Sequence, residues 1–441
     1  MKTILILGAG KSATVLIEYL LSEAPQYTWK VQVADANLAV AKLKVGSSSC
    51  GEGVELDVTE EAPRRTLISK ADLVISLLPP HLHILVAKDC LSLSRSLFTA
   101  SYIDEEVRKL ASEIEKKELL FLYEMGLDPG IDHMSAMALV DEIKSKGGNI
   151  LSFISHCGGL VASYSDNNPW HYKISWNPSN VVQAGKNGAL YRWNSKTVQL
   201  NREELFAEIR PATIQHAESL AWYPNRNSLS YLGLYGLDNI TTFIRTTLRH
   251  PNFIKGWHRL VQLGFTQDNP IIVSRNTTYA DLVQQFLAVN KFQIDFNQMI
   301  ENDDELAQLF QSLGFMDTDS IAQKNEYSPA TFLQECLEKN LKMEAVDKDR
   351  VVIQHEIIYE LNGQKRQLVS TLDIEGADAI HTAMAKTVGL PLALAAVTFL
   401  KGELQMKGLK VPIHSTIYKA ILPKLKALGI HFQESEIVLK N

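Results

Sequence analysis

Three small residues near the N-terminus have the spacing of a nucleotide-binding turn. Gly8, Gly10 and Ala13 form a Gly-x-Gly-x-x-Ala pattern directly after an apolar run, and Lys11 and Ser12 lie inside it. In such a turn the first glycine permits a tight bend, and the second lets a pyrophosphate approach the next helix. The third small residue allows that helix to pack closely on the sheet. The pattern predicts that all five residues contact a dinucleotide.

A second interpretation of the same stretch is a phosphate-binding loop, because Gly10, Lys11 and Ser12 also match its last three positions. That loop requires a glycine where this chain has Leu5, inside the predicted strand. Asp35 ends the second predicted strand, where a carboxylate binds the ribose 2′-hydroxyl group of NAD. Because a carboxylate repels a 2′-phosphate, Asp35 favours NAD over NADP; the alternative for Asp35 is a solvated turn residue.

The elements that must position these residues alternate between strands and helices over the first 125 residues or so. Helices are predicted at 11–23 and 104–117, and apolar strands are predicted at 3–7, 30–34, 72–78, 97–102 and 119–124. This alternation predicts an α/β fold with a Rossmann-type, doubly wound parallel sheet. Such sheets bind ligands at the carboxyl ends of their strands, which is where Ser101, Tyr102 and Asp128 follow.

The remaining sequence predicts an α/β substrate domain that carries a helical insertion. Asn362 and Gly363 predict a tight hairpin turn between two strands within 351–374. Further strands are predicted at 151–156 and 173–176, and further helices at 253–265, 279–290, 304–315, 329–341, 377–400 and 417–428.

These elements predict three parts of the chain. The dinucleotide-binding domain is expected at 1–128 and is completed by about 390–441. The α/β substrate domain is expected at 129–252 and 346–389. The helical insertion is expected at 253–345.

Composition limits the partners of this chain of 441 residues. A net charge of −6 without a basic block argues against nucleic acid. No run reaches the roughly 20 apolar residues of a membrane helix. The cysteines are scattered, His81 and His83 lack partners at metal-ligand spacing, and no metal is expected. We therefore expect a cytoplasmic protein that acts on a small molecule, with a homodimer as the candidate assembly.

Ordered motifs give the chain a family resemblance. They are LVISLLP (73–79), TASY (99–102), GLDPGIDHM (126–134), HCGGL (156–160), NPW (168–170), YKISW (172–176), YPNRNS (223–228) and TLR (247–249). The chain resembles the glutamate-forming saccharopine dehydrogenases, also called saccharopine reductases. The likeness is close over roughly 1–260 and follows the layout of the family beyond that.

The resemblance implies an NAD(P)-dependent enzyme of lysine metabolism. It would oxidise saccharopine to L-glutamate and α-aminoadipate semialdehyde, or run the reverse reaction. Members with an acidic residue at the position of Asp35 resemble the NAD users of the degradative branch, with NADP as the alternative. Beyond the turn and Asp35, cofactor contacts are implied at Asp57, Val58, Leu78, Ala100, Ser101, Leu127, Asp128, Pro129 and Ser175.

The expected chemistry assigns the remaining site residues. A substrate with three carboxylates requires cations, and the forked guanidinium groups of Arg226 and Arg249 suit carboxylates. Tyr102 and Asp128 are expected to be catalytic and to orient the secondary amine and the hydrolytic water. The substrate-binding set predicted from the sequence is Ser101, Tyr102, Asp128, Arg226, Thr247, Leu248 and Arg249.

Several residues have a competing structural interpretation. Asp128 could instead cap the helix that carries His133, and His133 is expected to be buried and hydrogen-bonded. Cys157 fits a small buried residue better than a catalyst. Lys173 is a further polar candidate.

Two departures from the family and two alternative functions stay open. Residues 159–165 read GLVASYS where relatives often have GGLPAPE, and Asn227 stands where they often have Asp. One alternative is a carboxynorspermidine-type, imine-reducing dehydrogenase of polyamine synthesis. The other is a catalytically silent NAD-sensing protein.

Overall fold

The computed structural model describes residues 1–214, 219–290 and 296–440, which fall into two compact units. The first unit contains Met1–Gly148 and Ile380–Phe432, and the second contains Asn149–Ala379 and Gln433–Asn441. Each unit is therefore built from two separate segments of the chain.

The described strands and helices are numbered along the chain. The strands are β1 (Thr3–Leu7), β2 (Lys30–Asp35), β3 (Gly51–Glu55), β4 (Leu73–Ser76), β5 (Ser96–Thr99), β6 (Leu120–Leu122), β7 (Asn149–Val161), β8 (Ala189–Trp193), β9 (Lys196–Leu200), β10 (Arg210–Ala212), β11 (Leu220–Pro224), β12 (Thr242–Arg249), β13 (Ile271–Ile272), β14 (Glu326–Tyr327), β15 (Asp349–Leu361), β16 (Gln364–Glu375), β17 (Gly408–Lys410) and β18 (Gln433–Val438). The α-helices are α1 (Thr14–Tyr27), α2 (Leu38–Val45), α3 (Glu61–Lys70), α4 (His83–Ser92), α5 (Glu105–Arg108), α6 (Ala111–Lys116), α7 (Ile131–Ser145), α8 (Pro178–Val182), α9 (Arg202–Leu205), α10 (Leu232–Tyr235), α11 (Pro251–Gln262), α12 (Tyr279–Asn290), α13 (Phe296–Glu301), α14 (Asp304–Ser312), α15 (Pro329–Asn340), α16 (Ala383–Leu400) and α17 (Ser415–Ala427).

The first unit contains the predicted parallel sheet. Its strand order among the described residues is β17-β6-β5-β4-β1-β2-β3, and every neighbouring pair is parallel. The order reverses between β1 and β4, and doubly wound sheets bind ligands beyond the carboxyl ends of their strands at such a reversal. The Rossmann-type α/β prediction is confirmed.

Several strands of this sheet are shorter than predicted. β4, β5 and β6 end two or three residues before the predicted ends at 78, 102 and 124. The residues that follow leave the strand conformation, and Glu124 even adopts a φ of +59°. After β6 an apolar pattern does not reveal this change, because Tyr123 and Glu124 are as buried as the strand itself. After β4 and β5 burial decreases, since residues 77–78 and 100–102 are only half-buried.

Helix predictions in the first unit were wrong in detail. The single helix expected at 104–117 is two short helices, α5 and α6, and α16 begins at Ala383 rather than 377. The helix expected at 11–23 begins as a 3-10 turn over Lys11–Ala13 and continues to Tyr27. β3 and β17 were not predicted, because neither strand has an apolar pattern.

Helix α16 is long and apolar enough to cross a membrane, but 83% of it is buried inside the protein. It packs closely on α1, since a Cβ at Gly389 would lie 2.9 Å from the backbone nitrogen of Leu16. Its apolar character is explained by its place in the core of the first unit.

The unit boundaries differ from the predicted domains at three places. Residues 380–389, predicted in the substrate domain, belong to the first unit. Residues 129–148 belong to the first unit because α7 packs on α17, where the Tyr418 hydroxyl donates to Asp141 Oδ2 at 2.6 Å. The end of the chain belongs to the second unit because β18 pairs with β16. β18 was not predicted, and all of its side chains are exposed.

The second unit is built on a mixed sheet. Its described strands follow the order β10-β11-β12-β7-β15-β16-β18, and β8 and β9 branch from β12. β7 pairs with β12 in parallel and with β15 in antiparallel orientation. Asn362 and Gly363 have φ values of +53° and +76°, as the predicted hairpin turn requires.

The helices from α11 to α15 share a hydrophobic core with this sheet rather than forming a separate unit. A Cβ at Gly256 in α11 would lie 2.6 Å from the Trp170 ring, which shows how closely the two parts pack. α13 was not predicted. The strand predicted at 173–176 is wrong: Ile174 makes an isolated bridge with Lys342, and Tyr172 and Ile174 pack into the core.

Candidate active site

The glycine turn after β1 has the geometry of a dinucleotide-binding turn. Gly8 has a φ of +99°, and a Cβ there would lie 2.9 Å from the Leu77 carbonyl oxygen. A Cβ at Gly10 would meet no described protein atom within 4 Å. Contacts with described protein atoms therefore do not explain the glycine at position 10, and the open space there leaves room for a phosphate. Lys11 is exposed and Ala13 is buried, as that arrangement requires.

The Asp35 carboxylate joins two turns of the first unit. Asp35 Oδ2 accepts from the Ala9 backbone nitrogen at 2.8 Å, and Oδ1 accepts from the Asn37 backbone nitrogen at 2.9 Å. Asp35 is half-buried, and these contacts show that it does more than turn the chain toward solvent. Its side chain fixes the glycine turn against the end of β2 and places a negative charge beside it.

A cavity of about 250 Å³ opens next to Asp35 in the first unit. Hydrogen bonds from the hydroxyl and backbone of Thr59 lower the pKa of the exposed Asp57 carboxyl at its rim. The walls are otherwise mainly apolar and include no lysine or arginine. The lining residues are Leu7, Ala34, Asp35, Ala36, Leu56, Asp57, Val58, Thr59, Leu78, Pro79 and Leu82. Four predicted cofactor contacts, Asp35, Asp57, Val58 and Leu78, therefore share one cavity.

Tyr102 and Asp128 meet beyond the carboxyl ends of β5 and β6. The Tyr102 hydroxyl donates to Asp128 Oδ1 at 2.8 Å, and both side chains are half-buried. Asp128 is not the N-cap residue of α7, because that position is Gly130. The structure therefore brings together the two residues predicted to be catalytic.

The loop that carries Asp128 is fixed by its glycines. Gly130 has a φ of +149°, and a Cβ there would lie 2.0 Å from the Gly126 carbonyl oxygen. A Cβ at Gly126 would lie 2.9 Å from that of Ala100. The Asp128–Pro129 peptide bond is cis. Ala100, Asp128 and Pro129, all predicted cofactor contacts, therefore belong to one tightly packed region.

Buried charged groups support this loop from behind. Glu124 Oε2 lies 3.2 Å from His133 Nε2, and Glu124 Oε1 accepts from the Ile103 backbone nitrogen at 3.3 Å. Asp132 Oδ1 accepts from the Gly130 backbone nitrogen at 2.6 Å. His133 is buried, as expected, and lies within ion-pair distance of Glu124. The sequence analysis missed Glu124, which has no motif of its own and is recognisable only by its position after a buried strand.

Arg249 ends β12 in the second unit and is buried. Its Nη1 donates to the carbonyl oxygens of Leu248 at 2.7 Å and Gly159 at 3.3 Å. Its guanidinium carbon lies 5.1 Å from the ring centre of Tyr172 and 5.4 Å from that of Phe253. Among the described residues, Arg249 Nε has no hydrogen-bond partner. The arrangement can bind an anion.

Arg226 lies in the turn after β11, is exposed and has a φ of +53°. Its neighbour Asn227 caps a 3-10 helix by accepting from the Ser230 backbone nitrogen at 3.2 Å. Arg249 is opposite Ala221 in the register, so the Arg226 and Arg249 backbones are roughly 16 Å apart along the strand pair. The two arginines therefore start from well-separated positions on the strand pair.

The other predicted contacts in the two units differ in exposure. Thr247 is half-buried, whereas the side chains of Leu248, Leu127 and Ser175 are buried. A Cβ at Gly158 would lie 2.7 Å from the Leu248 Cβ, so the Leu248 side chain is part of the sheet packing.

Lys173 and Cys157 are both buried in the second unit. Lys173 Nζ donates to Asp347 Oδ2 at 2.6 Å, and this ion pair explains how a lysine can be buried there. Cys157 is opposite Thr247 in the sheet register. The described residues contain no group of three or more His, Cys, Asp or Glu side chains that could hold a metal ion.

The segment that departs from the family pattern is the end of β7 and the 3-10 helix Ser163–Ser165. Leu160 packs in a small cluster with Leu248, and the exposed Tyr164 donates to Glu375 Oε2 at 2.8 Å. The unusual residues therefore pack within the second unit.

Two family models together match almost the whole chain. The model described as the saccharopine dehydrogenase NADP binding domain matches residues 4–122. The model described as the saccharopine dehydrogenase C-terminal domain matches residues 126–430.

Individual relatives give the same result. The chain is 31% identical to the NADP(+), L-glutamate-forming saccharopine dehydrogenase of Saccharomyces cerevisiae, over 99% of both chains. It is also 31% identical to the α-aminoadipic semialdehyde synthase of Arabidopsis thaliana, over 98% of this chain but only 44% of that protein. The solved apo structure of the L-Glu-forming enzyme from S. cerevisiae superposes with a TM-score of 0.82 at 30% identity, covering 99% of this chain and all of that one.

Proposed function

Because the chain belongs to the saccharopine dehydrogenase family, we propose that it is the L-glutamate-forming enzyme of lysine metabolism. It would oxidise saccharopine with a nicotinamide dinucleotide and water to L-glutamate and α-aminoadipate semialdehyde, or catalyse the reverse. The observation that carries this proposal is the Tyr102–Asp128 hydrogen bond at the ligand-binding edge of the parallel sheet, in a chain that matches the family over its full length.

The residues present fit a dinucleotide. Gly10 allows a phosphate to approach the 3-10 turn that follows it, and the cavity beside Asp35 offers apolar walls to a flat base. When bound, the dinucleotide would supply the hydride acceptor for the oxidation. The residues that would hold it are the predicted cofactor contacts from Gly8 to Ser175 given above.

NAD is the proposed cofactor, although the S. cerevisiae relative named above is an NADP(+) enzyme. A 2′-phosphate requires a cation, and the cavity lining contains Asp35 and Asp57 but no basic residue. The backbone hydrogen bonds of Asp35 hold its carboxylate in place, so the negative charge could not turn away from a phosphate without losing them.

Tyr102 and Asp128 are proposed to hold the reacting nitrogen and the water. Loss of hydride from the aminoadipate-side carbon leaves an imine, to which water adds before the carbon–nitrogen bond breaks. Because Tyr102 donates to Oδ1, the Asp128 carboxylate has a fixed orientation toward the amine proton that must leave. The imine is already electrophilic, so positioning accounts for most of what this pair must do.

Arg249 and Arg226 are proposed to bind carboxylates at different parts of the substrate. The buried Arg249 has aromatic walls and an Nε donor available, which suits bidentate binding of a carboxylate. The wide separation of the two backbones suits a long substrate with carboxylates toward both ends. The same groups disfavour a cationic polyamine substrate, as in the carboxynorspermidine alternative.

The compartment and the assembly are further parts of the proposal. None of the described cysteines forms a disulfide, which supports a reducing compartment such as the cytoplasm. A homodimer is the proposed assembly.

Absorbance at 340 nm tests the proposed function. We expect the purified protein to reduce NAD with saccharopine as substrate, at a higher kcat/KM than NADP. Carboxynorspermidine is the control substrate, and no reduction is expected with it. Absence of reduction with saccharopine and either cofactor would contradict the proposal, whereas preferential use of NADP would overturn only the cofactor assignment.

A further inference from the structure

His83 is the first residue of α4 and lies between the ends of two neighbouring strands of the parallel sheet. Its Nδ1 lies 2.8 Å from the hydroxyl oxygen of Ser76, the last residue of β4. Its Nε2 lies 2.7 Å from the hydroxyl oxygen of Ser101, which follows β5. The imidazole therefore connects the carboxyl ends of β4 and β5 through two side-chain hydrogen bonds.

The ring is buried, with only 1% of the residue exposed. Burial lowers the pKa of His83 to about 4, with a smaller decrease from His81 and opposing increases from Asp104 and the Leu78 backbone. A neutral imidazole has one N–H and one lone pair, so it donates at one nitrogen and accepts at the other. The hydrogen bond to Ser101 is therefore directional, and it fixes how that hydroxyl presents its remaining donor or acceptor sites.

The Ser101 backbone is already held without His83. Its nitrogen donates to Thr99 Oγ1 at 3.2 Å, and its carbonyl oxygen accepts from the Glu124 backbone nitrogen at 3.0 Å. The remaining freedom of Ser101 is the rotation of its side chain, and His83 is the described partner that restricts it. Ser101 is half-buried at the edge where such sheets bind ligands, so its hydroxyl can contact both His83 and a ligand.

We propose that His83 is a positioning residue for the dinucleotide, acting through Ser101. In this arrangement Ser76 orients the imidazole, the imidazole orients the Ser101 hydroxyl, and that hydroxyl makes one hydrogen bond to the bound cofactor. The proposal rests on dinucleotide binding by the first unit and does not depend on which substrate is oxidised.

The test is NADH affinity, measured by fluorescence titration without saccharopine. His83→Asn and Ser101→Ala should each weaken NADH binding about fivefold, the size of one lost hydrogen bond. Because His83 acts through Ser101, the double variant should bind NADH no more weakly than Ser101→Ala alone. His83→Gln is the matched control, since its amide reaches the position of Nε2 and should retain affinity within about twofold of the unsubstituted protein.

Ser76→Ala provides a second route if His83→Asn does not fold, as judged by circular dichroism. It keeps the imidazole but removes the hydrogen bond at Nδ1. We therefore expect NADH affinity to fall about twofold, and we expect no further fall when Ser76→Ala is added to Ser101→Ala. Unchanged affinity in His83→Asn would overturn the proposal. The proposal would also be overturned if a double variant lost NADH affinity by the product of the two single losses. This applies to the His83 and Ser101 substitutions and to the Ser76 and Ser101 substitutions. Because saccharopine is absent, these outcomes are separate from failure of the proposed enzymatic function.

Discussion

Two regions differ in how far the protein satisfies its own hydrogen-bonding groups. One is the glycine turn with its polar neighbours, and the other is the Arg249 guanidinium. Asp35 accepts from two backbone nitrogens, and Asp57 accepts from two groups of Thr59. Arg249 is buried, yet its Nε lacks a hydrogen-bond partner among the described residues. A buried donor without an acceptor is costly. The first set is therefore organised mainly by the protein, whereas Arg249 has capacity for a ligand.

The largest expected effect concerns His83. Like Asp35 and Asp57, it has its hydrogen bonds satisfied within the protein, by Ser76 and Ser101. The unfolded histidine is protonated below about pH 6.5, but the folded one stays neutral until about pH 4. The stability that the neutral ring contributes is therefore complete above pH 6.5 and is lost as pH falls toward 4, by about 3 kcal/mol. Urea unfolding of the unsubstituted protein and His83→Gln at several pH values measures this loss. Parallel pH curves for the two proteins would show that His83 is not held neutral.

The next prediction tests whether the Arg249 guanidinium binds a substrate carboxylate. Arg249→Lys should lower kcat/KM for saccharopine roughly a hundredfold, or about 2–3 kcal/mol, because lysine cannot replace a bidentate fork. Arg350→Lys is the matched control, since Arg350 already pairs with Asp373 within the protein. The control should stay within about twofold in steady-state assays. Equal losses of kcat/KM in both variants would show that Arg249 is no more important for the substrate than an arginine already paired within the protein.

Asp128→Asn should lower kcat/KM for saccharopine by more than about tenfold, because the amide cannot accept the amine proton as a carboxylate does. Asp141→Asn is a matched control, since Asp141 also accepts from a tyrosine hydroxyl, that of Tyr418, but lies on α7. It should leave the rate unchanged. Unchanged kinetics in Asp128→Asn would refute the proposed role of this residue.

The smallest effect concerns cofactor choice. Asp35→Asn removes the charge but keeps the shape, so the ratio of kcat/KM for NADP to that for NAD should rise about fivefold. Glu52→Gln on the neighbouring β3 is the control, because Glu52 pairs with Lys30 and lies outside the cavity. If both variants gave the same ratio, general electrostatics rather than Asp35 would account for the preference.

The sequence predicted the parallel sheet and the strand–turn–helix around Gly8 and Gly10, because these follow from local spacing and buried apolar runs. It did not predict β3 or β17, which lack an apolar pattern. It did not predict where β5 and β6 end, since the loops that follow are held by long-range contacts such as that of Gly126 with Ala100. It placed Tyr102 and Asp128 in one site through family resemblance, but not in hydrogen-bond contact. His83 was considered only as a metal ligand, because no sequence motif shows that two strand ends bring Ser76 and Ser101 to its ring.

The most direct measurement is identification of the products by mass spectrometry after incubation of saccharopine with NAD. The proposed function predicts equal amounts of L-glutamate, α-aminoadipate semialdehyde and NADH. Formation of lysine and 2-oxoglutarate would show that the other carbon–nitrogen bond is cleaved and would contradict the assignment. Unchanged saccharopine with either NAD or NADP would contradict the enzymatic function itself.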